Sequence, residues 1–190
     1  MNYFFLAMGW TFYFFVHSAL ASEKIKHVVA LRLARVKHYY RLFYSIISTL
    51  GLLGLFLFQA SLPTTFLLES NPAIRYFSLI LATAGTLVIS RSFKQYSALG
   101  FMGFKQEPVY FVRSGILSKV RHPIYSGTIL LVLGFLFFHP TVATLISVAC
   151  IFCYLPIGIY LEEKKLIAQF GNEYVKYRNE VPALVPRLFR

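Results

Sequence analysis

Aspartate is absent from this 190-residue chain, and all seven of its acidic residues are glutamates. Only 14% of the residues are charged, against 57% hydrophobic and 18% aromatic, and mean hydropathy is +0.63. So little charge excludes an ordinary soluble domain and indicates a membrane protein. Cysteine is scarce as well. Cys150 and Cys153 form one C-x-x-C inside an apolar run, with no other cysteine to complete a metal or redox site, and they read as small buried residues. No cluster of metal ligands, repeat or low-complexity tract stands out. One membrane domain over residues 1–190 is the simplest organisation, with a three-helix part at 1–99 and a loop, hairpin and tail at 100–190.

What the chain does have is lysine, arginine and long apolar runs. A net charge of +12 on a soluble protein would suggest nucleic acid. Here the basic residues cluster between runs of spanning length, so they read as flanks that hold helices in a bilayer, and no nucleic-acid partner is expected. Runs at 2–21, 39–61 and 74–99 are long enough to cross at ~1.5 Å per residue. Two more, 124–138 and 141–161, are separated only by His139 and Pro140 and predict a tight helical hairpin, since Pro suits the first turn of a new helix. The expected fold is therefore all-α and polytopic, with about five transmembrane helices, a carboxy-terminal helical hairpin and a tail helix.

Every basic residue except Arg75 lies in or beside the first loop, the third loop or the tail. The positive-inside rule then places those three segments in the cytosol and the N-terminus outside, in a multi-pass protein of the cell membrane. The sequence "ALAS" after the first run resembles a signal-peptidase site. With no basic residue ahead of the run and a positive cluster behind it, a retained first helix is expected.

The stretch "SKVRHPIYSG" puts Arg121, His122, Pro123 and Tyr125 at the mouth of the hairpin, and the chain returns to that same face at "YLEEKKLIAQFG". Two adjacent glutamates, Glu162 and Glu163, sit at a membrane boundary in a chain almost devoid of acid. An ionisable group there has to be paired or reach water. A cation, an imidazole and two carboxylates on one face suit a zwitterionic, cationic small molecule, with Arg121 and helix N–H groups for a carboxylate, Glu for an ammonium or hydroxyl, and Tyr125 against a cation. The same residues also fit a plainer account: Arg and Tyr as interfacial anchors, and Glu162 or Glu163 paired with Lys164 or Lys165. His17, in the apolar first helix, fits a buried hydrogen-bonded histidine or a substrate contact.

"GILSKVRHPIYSG", followed about 35 residues later by "EEKKLIAQFGNEYVKYRNEVPALVP", resembles the signature of the integral-membrane methyltransferases that use S-adenosylmethionine. This superfamily includes isoprenylcysteine carboxyl, phospholipid and methanethiol S-methyltransferases. The resemblance covers roughly 115–186. It implies that S-adenosylmethionine is the methyl donor and S-adenosylhomocysteine the product, that His122, Pro123, Ile124 and Tyr125 wrap the cofactor, and that Glu162 contacts it. It further implies that Val109, Tyr110, Phe111 and Val112 line the cofactor pocket, while Leu117 stands where the prenylcysteine enzymes commonly have Tyr. Tyr174, Tyr177 and Arg178 fall in a tail helix that is expected to close the cytosolic side, with ordinary amphipathic helix packing as the alternative for each.

Two departures bear on the acceptor. Gly158 stands where the prenylcysteine enzymes place an Arg that meets their substrate, and "FFVHSALASEKIK" with "YYRLFYSIISTLGLLGLFLFQ" is similar to the first two helices of the methanethiol-methylating branch. The expected acceptor is thus a small or lipophilic thiol, with Arg121 lowering its pKa, Glu163 or His17 taking its proton, and His17, Gly158 and Arg178 as substrate-side residues. Prenylcysteine carboxyl or phospholipid methylation is the alternative. A non-enzymatic haem protein using His17 and His122 is the alternative from another class. The expected partners are the lipid bilayer and the methyl acceptor, with no obligate protein partner and no metal.

Overall fold

The computed structural model describes residues 1–33, 39–69, 71–94, 104 and 111–187. The described chain folds into α1 (Asn2–Ala21), α2 (Glu23–Arg32), α3 (Tyr40–Ser61), α4 (Pro72–Ser92), a 3-10 turn (Gly115–Ser118), α5 (Pro123–Phe138), α6 (Val142–Phe170) and α7 (Asn172–Glu180). Helices α1, α3, α4 and α6 are long and apolar enough to cross a membrane, and α5, at 16 residues, is the shorter apolar helix of the hairpin. The protein is an all-α polytopic membrane protein. Its five apolar helices are those the hydrophobic runs predict.

The boundaries differ in ways with physical causes. α6 runs nine residues past Leu161, where the continuous apolar run ends, because Glu, Lys, Leu, Ala and Gln are all good helix formers. It stops at Gly171, whose φ of +59° is open to glycine. At 29 residues, α6 is ~44 Å long against an apolar thickness of about 30 Å, so its last turns carry Glu162 to Lys165 clear of the hydrocarbon. α4 ends at Ser92, short of the expected 99. α2 was not evident from hydropathy: Ser22 caps it by accepting from the Ile25 N–H, with Glu23 in its first turn and Arg32 in its last.

Two packing units hold the bundle. In the first, α1 packs against α3 and α6 around Leu6, Trp10, Leu55, Leu62 and Ala143. Cys150 packs on this core, whereas Cys153 is exposed, so only the first of the two cysteines fits the buried reading. A polar string crosses the same core: Trp10 Nε1 donates to Ser147 Oγ at 2.8 Å, Ser147 Oγ donates to Gln59 Oε1 at 2.6 Å, and Gln59 Nε2 reaches Thr144 Oγ1 at 3.4 Å. Every member has a partner, which is how polar side chains become interhelical glue in a bilayer. Ser147→Ala, which strands both Trp10 and Gln59, is expected to lower unfolding free energy in detergent by about 1–2 kcal/mol. Denaturation of the wild type and variant side by side checks this.

In the second unit α4 lies along α5, brought close by glycine. A Cβ on Gly127 would stand 2.6 Å from Ile89 Cγ1 and 2.7 Å from the Gly85 carbonyl, and one on Gly134 would stand 2.8 Å from the Ser78 carbonyl and the Ala82 nitrogen. Backbones this near tolerate no side chain between them. At the far end of the hairpin, Pro140 and Thr65 carbonyls accept from Leu67 and Val142 N–H groups, tying the tip to the second loop. Opposite that tip, the N-terminus of α5 and the last turns of α6 meet.

Candidate functional site

His122 is the residue before α5, and Pro123 is its first helical residue. A fixed φ and a missing N–H cost nothing there. The stretch is held from outside by the tail after α7: Arg121 N–H donates to the Pro182 carbonyl at 2.9 Å, His122 N–H to the Ala183 carbonyl at 3.0 Å, and Ser126 Oγ to the Leu184 carbonyl at 2.6 Å. "VRHPIYS" and "VPALVP" thus run against each other, which gives the tail motif a mechanical reason.

Arg121 is the clamp of the site. Its Nε and Nη2 both donate to Glu163 Oε1, at 2.9 and 2.6 Å, and its Nη1 donates to the carbonyls of Arg178, at 2.8 Å, and Val181. Four of the five guanidinium N–H groups are therefore used. Two of them satisfy carbonyls at the C-terminal end of α7, where a helix leaves acceptors without partners and favours a cation. Arg178 stands 3.9 Å from the other oxygen of Glu163.

His122 lies between the two glutamates. Its side chain is 1% exposed, with Nε2 3.1 Å from Glu163 Oε1 and Nδ1 3.6 Å from Glu162 Oε2. Burial alone would favour the neutral ring, yet the carboxylates of Glu162 and then Glu163 outweigh it and raise the His122 pKa above the ordinary value. A raised histidine pKa stabilises the fold in full below about pH 6.5, and the contribution is lost as pH rises through the raised value. Glu163 is enclosed, at 13% side-chain exposure, whereas Glu162, although beside His122, is 45% exposed, so part of its carboxylate faces outward.

α7 closes one side. Tyr177 Oη donates to the Leu117 carbonyl at 2.6 Å while Arg113 lies over its ring at 5.4 Å, and burial pushes the phenol up to about 12. Phe111 packs on Phe170, Tyr174 and Tyr177. Tyr174 is 2% exposed, and its hydroxyl has no hydrogen-bond partner among the described residues. Burial and then the charge of Glu163 raise its pKa, so it stays a neutral hydroxyl.

The structure thus brings together Arg121, His122, Glu162, Glu163 and Arg178, with Tyr125 edge-on to His122 at 5.6 Å. Pro123 is buried and Ile124 half-buried beside it. Leu117 and Phe111 belong to the packing under α7, and Val112 is half-buried next to them. Val109 and Tyr110 lie outside the described residues. Neither glutamate pairs with Lys164 or Lys165 in the manner of the plainer account. Glu163 takes Arg121 and His122, and Lys165 Nζ donates instead to the Ala21 carbonyl at 2.6 Å.

His17 and Gly158 form a second group, toward the membrane. Gly158 is buried, and a Cβ on it would stand 3.3 Å from Tyr154 and 3.4 Å from Tyr125 Oη. Tyr154 Oη bonds Ser18 Oγ at 2.7 Å and stacks on Phe14, and the neighbouring His17 has Tyr44 Oη at 2.9 Å from Nε2 and Ser48 Oγ at 3.1 Å from Nδ1. Both histidines thus have partners at both ring nitrogens, which suits neither to be an open haem ligand. Nothing in the local sequence marks Tyr44 or Tyr154, which lie within apolar runs. Tyr154, Gly158 and Glu162 recur every four residues, a spacing that places them on one helix face.

The described residues thus form a polytopic helical bundle with a buried imidazole between two glutamates at one end, and comparison with known proteins gives its family. The model of the NnrU protein family matches residues 5–185, and the chain belongs to that family. It is similar to methanethiol S-methyltransferases 1 and 2 of Bradyrhizobium diazoefficiens, each 31% identical, over 75% and 77% of this chain and 53% and 59% of theirs. It is also similar to the methanethiol S-methyltransferase of Crocosphaera subtropica, 37% identical over 42% of this chain and 30% of that one. With these relatives it falls in the integral-membrane methyltransferase superfamily that the hairpin signature resembles. The chain spans between 30% and 59% of the length of these relatives. No solved structure gives a significant match.

Proposed function

We propose that the protein is a membrane methyltransferase that moves the methyl group of S-adenosylmethionine to a small or lipophilic thiol. The observation that carries this reading is that the Arg121–His122–Glu163 cluster has a half-exposed Glu162 beside it and a buried Tyr174 hydroxyl that has no hydrogen-bond partner among the described residues. Those groups fit a zwitterionic donor: Glu162 can accept from an ammonium or a ribose hydroxyl, and a ligand's polar atom would satisfy Tyr174. The names of the relatives support the chemistry. When bound, the sulfonium supplies an already activated methyl group, so the protein's task is alignment and exclusion of water.

The chain's own residues divide that task. Arg121 and Glu163, expected from the sequence to act on the acceptor, neutralise each other and fix α5, α6 and α7 around the site. We read them as positioning residues, since Arg121 has so little donor capacity left for a ligand carboxylate. His122, wedged between them and Glu162, orients Glu162. Gly158 leaves no space for a long cation without displacing Tyr125 and Tyr154, which favours a thiol over a carboxylate acceptor. The distribution of basic residues supports a cytosolic position for this end of the bundle.

Glu162→Gln is expected to weaken S-adenosylmethionine binding by about 1.5–3 kcal/mol, the range for a hydrogen bond to a charged group. Tyr174→Phe should weaken it by about 1 kcal/mol. Calorimetric titration of the detergent-solubilised protein measures both, with Glu23→Gln on the exposed face of α2 as the control. An unchanged affinity for the Glu162 variant removes that residue from the donor site.

A further inference from the structure

We infer that a lipid-facing cavity between α1 and α3 is the acceptor site and that it is built for a neutral thiol on a single long apolar chain, an inference that rests on the methyltransferase reading. The cavity, of about 370 Å³, is lined by residues that include Phe12, Tyr13, His17, Ser48, Gly54 and Phe58. That volume lies in the range of small-molecule clefts and gives far more room than the carbon and sulfur of methanethiol need. Glycine hollows it: a Cβ on Gly54 would meet nothing within 4 Å. Phe12 and Phe58, 70% and 38% exposed, flank it on helices that cross the membrane, so it opens to lipid.

Its ends differ. The body is aliphatic and aromatic, while one end holds His17 with Ser48 Oγ and Tyr44 Oη as its partners. Among the described residues no lysine, arginine or glutamate lines it, so a carboxylate or a phosphate ester would enter uncompensated, whereas a thiol loses little. The polar end leads to the donor site through a continuous series: His17 adjoins Ser18, Ser18 Oγ bonds Tyr154 Oη, Tyr154 and Tyr125 meet over Gly158, and Tyr125 stands edge-on to His122. An apolar chain in the cavity would therefore direct its thiol along that series toward Glu162, where the sulfur takes the methyl group, the donor leaves as the thioether S-adenosylhomocysteine, and the thiol proton passes to the His17 end of the series.

The test uses the full chain in nanodiscs with labelled S-adenosylmethionine and two acceptors, ethanethiol and decanethiol. The wild type should prefer decanethiol, and Gly54→Leu, whose Cβ has open space and whose longer side chain would occupy the cavity, should cut that preference about tenfold, since each buried methylene contributes ~0.8 kcal/mol. A decyl probe carrying a photoreactive diazirine should label α1 and α3 of the wild type and lose that labelling in the variant. A preference unaffected by Gly54→Leu, or labelling spread evenly over the lipid face, overturns the cavity assignment and leaves methylation standing. Focused labelling with no methyl transfer to either thiol overturns the thiol-methylation reading and, with it, the acceptor role, while the cavity remains a chain-binding site.

Discussion

Glu163→Gln is expected to destabilise the protein by about 3 kcal/mol. The size follows from enclosure. Arg121 and Glu163 are only 11% and 13% exposed, and removing one partner of a buried pair leaves the other charge uncompensated, which typically costs 3–5 kcal/mol. Here Arg121 retains the Arg178 and Val181 carbonyls, so the lower figure applies. The exposed pair of Arg113 and Glu180 makes the contrast: at 40% and 60% exposure, Glu180→Gln should cost below about 1 kcal/mol. Chemical denaturation in detergent separates the two. Equal, small losses would mean that the cluster at the hairpin mouth is hydrated and does not hold α5, α6 and α7 together.

Gly127→Leu is expected to prevent the close crossing of α4 and α5 altogether. The new side chain would begin 2.6 Å from Ile89 Cγ1, 2.7 Å from the Gly85 carbonyl and 3.1 Å from the Ile89 nitrogen, and the last two are backbone atoms that move only if the helices separate. Even Gly127→Ala should cost about 2 kcal/mol through overpacking, against helix propensity that would otherwise favour Ala by about 1 kcal/mol. Gly54→Ala, with nothing near its Cβ, keeps only the propensity gain and should be neutral or slightly stabilising. Fraction folded after detergent extraction, followed by size exclusion, reads all three variants. A well-folded Gly127→Leu protein would contradict the α4–α5 geometry described here.

Much of this arrangement is legible in the residues. Apolar runs and a proline at position 140 are enough to place the hairpin, and a hairpin must return Glu162 and Glu163 to the end where Arg121 and His122 begin it. The choice of partner is not legible in the same way. Arg121 takes two backbone carbonyls, and carbonyls carry no sequence identity, so nothing marks Arg178 and Val181 as acceptors in advance. The same holds for the tail strap, in which Pro182, Ala183 and Leu184 act through their main chain. The bond between Ser18 and Tyr154 joins residues 136 apart, a distance that only the packing of α1 on α6 closes. Hydropathy hid α2 because its signals are a serine cap and terminal charges, and the helical extension of α6 because polarity ends a membrane run without ending a helix.

One measurement bears most directly on the proposed activity. The purified chain, reconstituted in nanodiscs, is given methyl-labelled S-adenosylmethionine together with equal amounts of an alkanethiol, a farnesylcysteine analogue and the phospholipid of the disc. Label should appear mainly in the alkyl methyl thioether and should fall sharply in the Glu162→Gln protein. Label mainly in the farnesylcysteine methyl ester, or in no acceptor at all, would contradict thiol methylation.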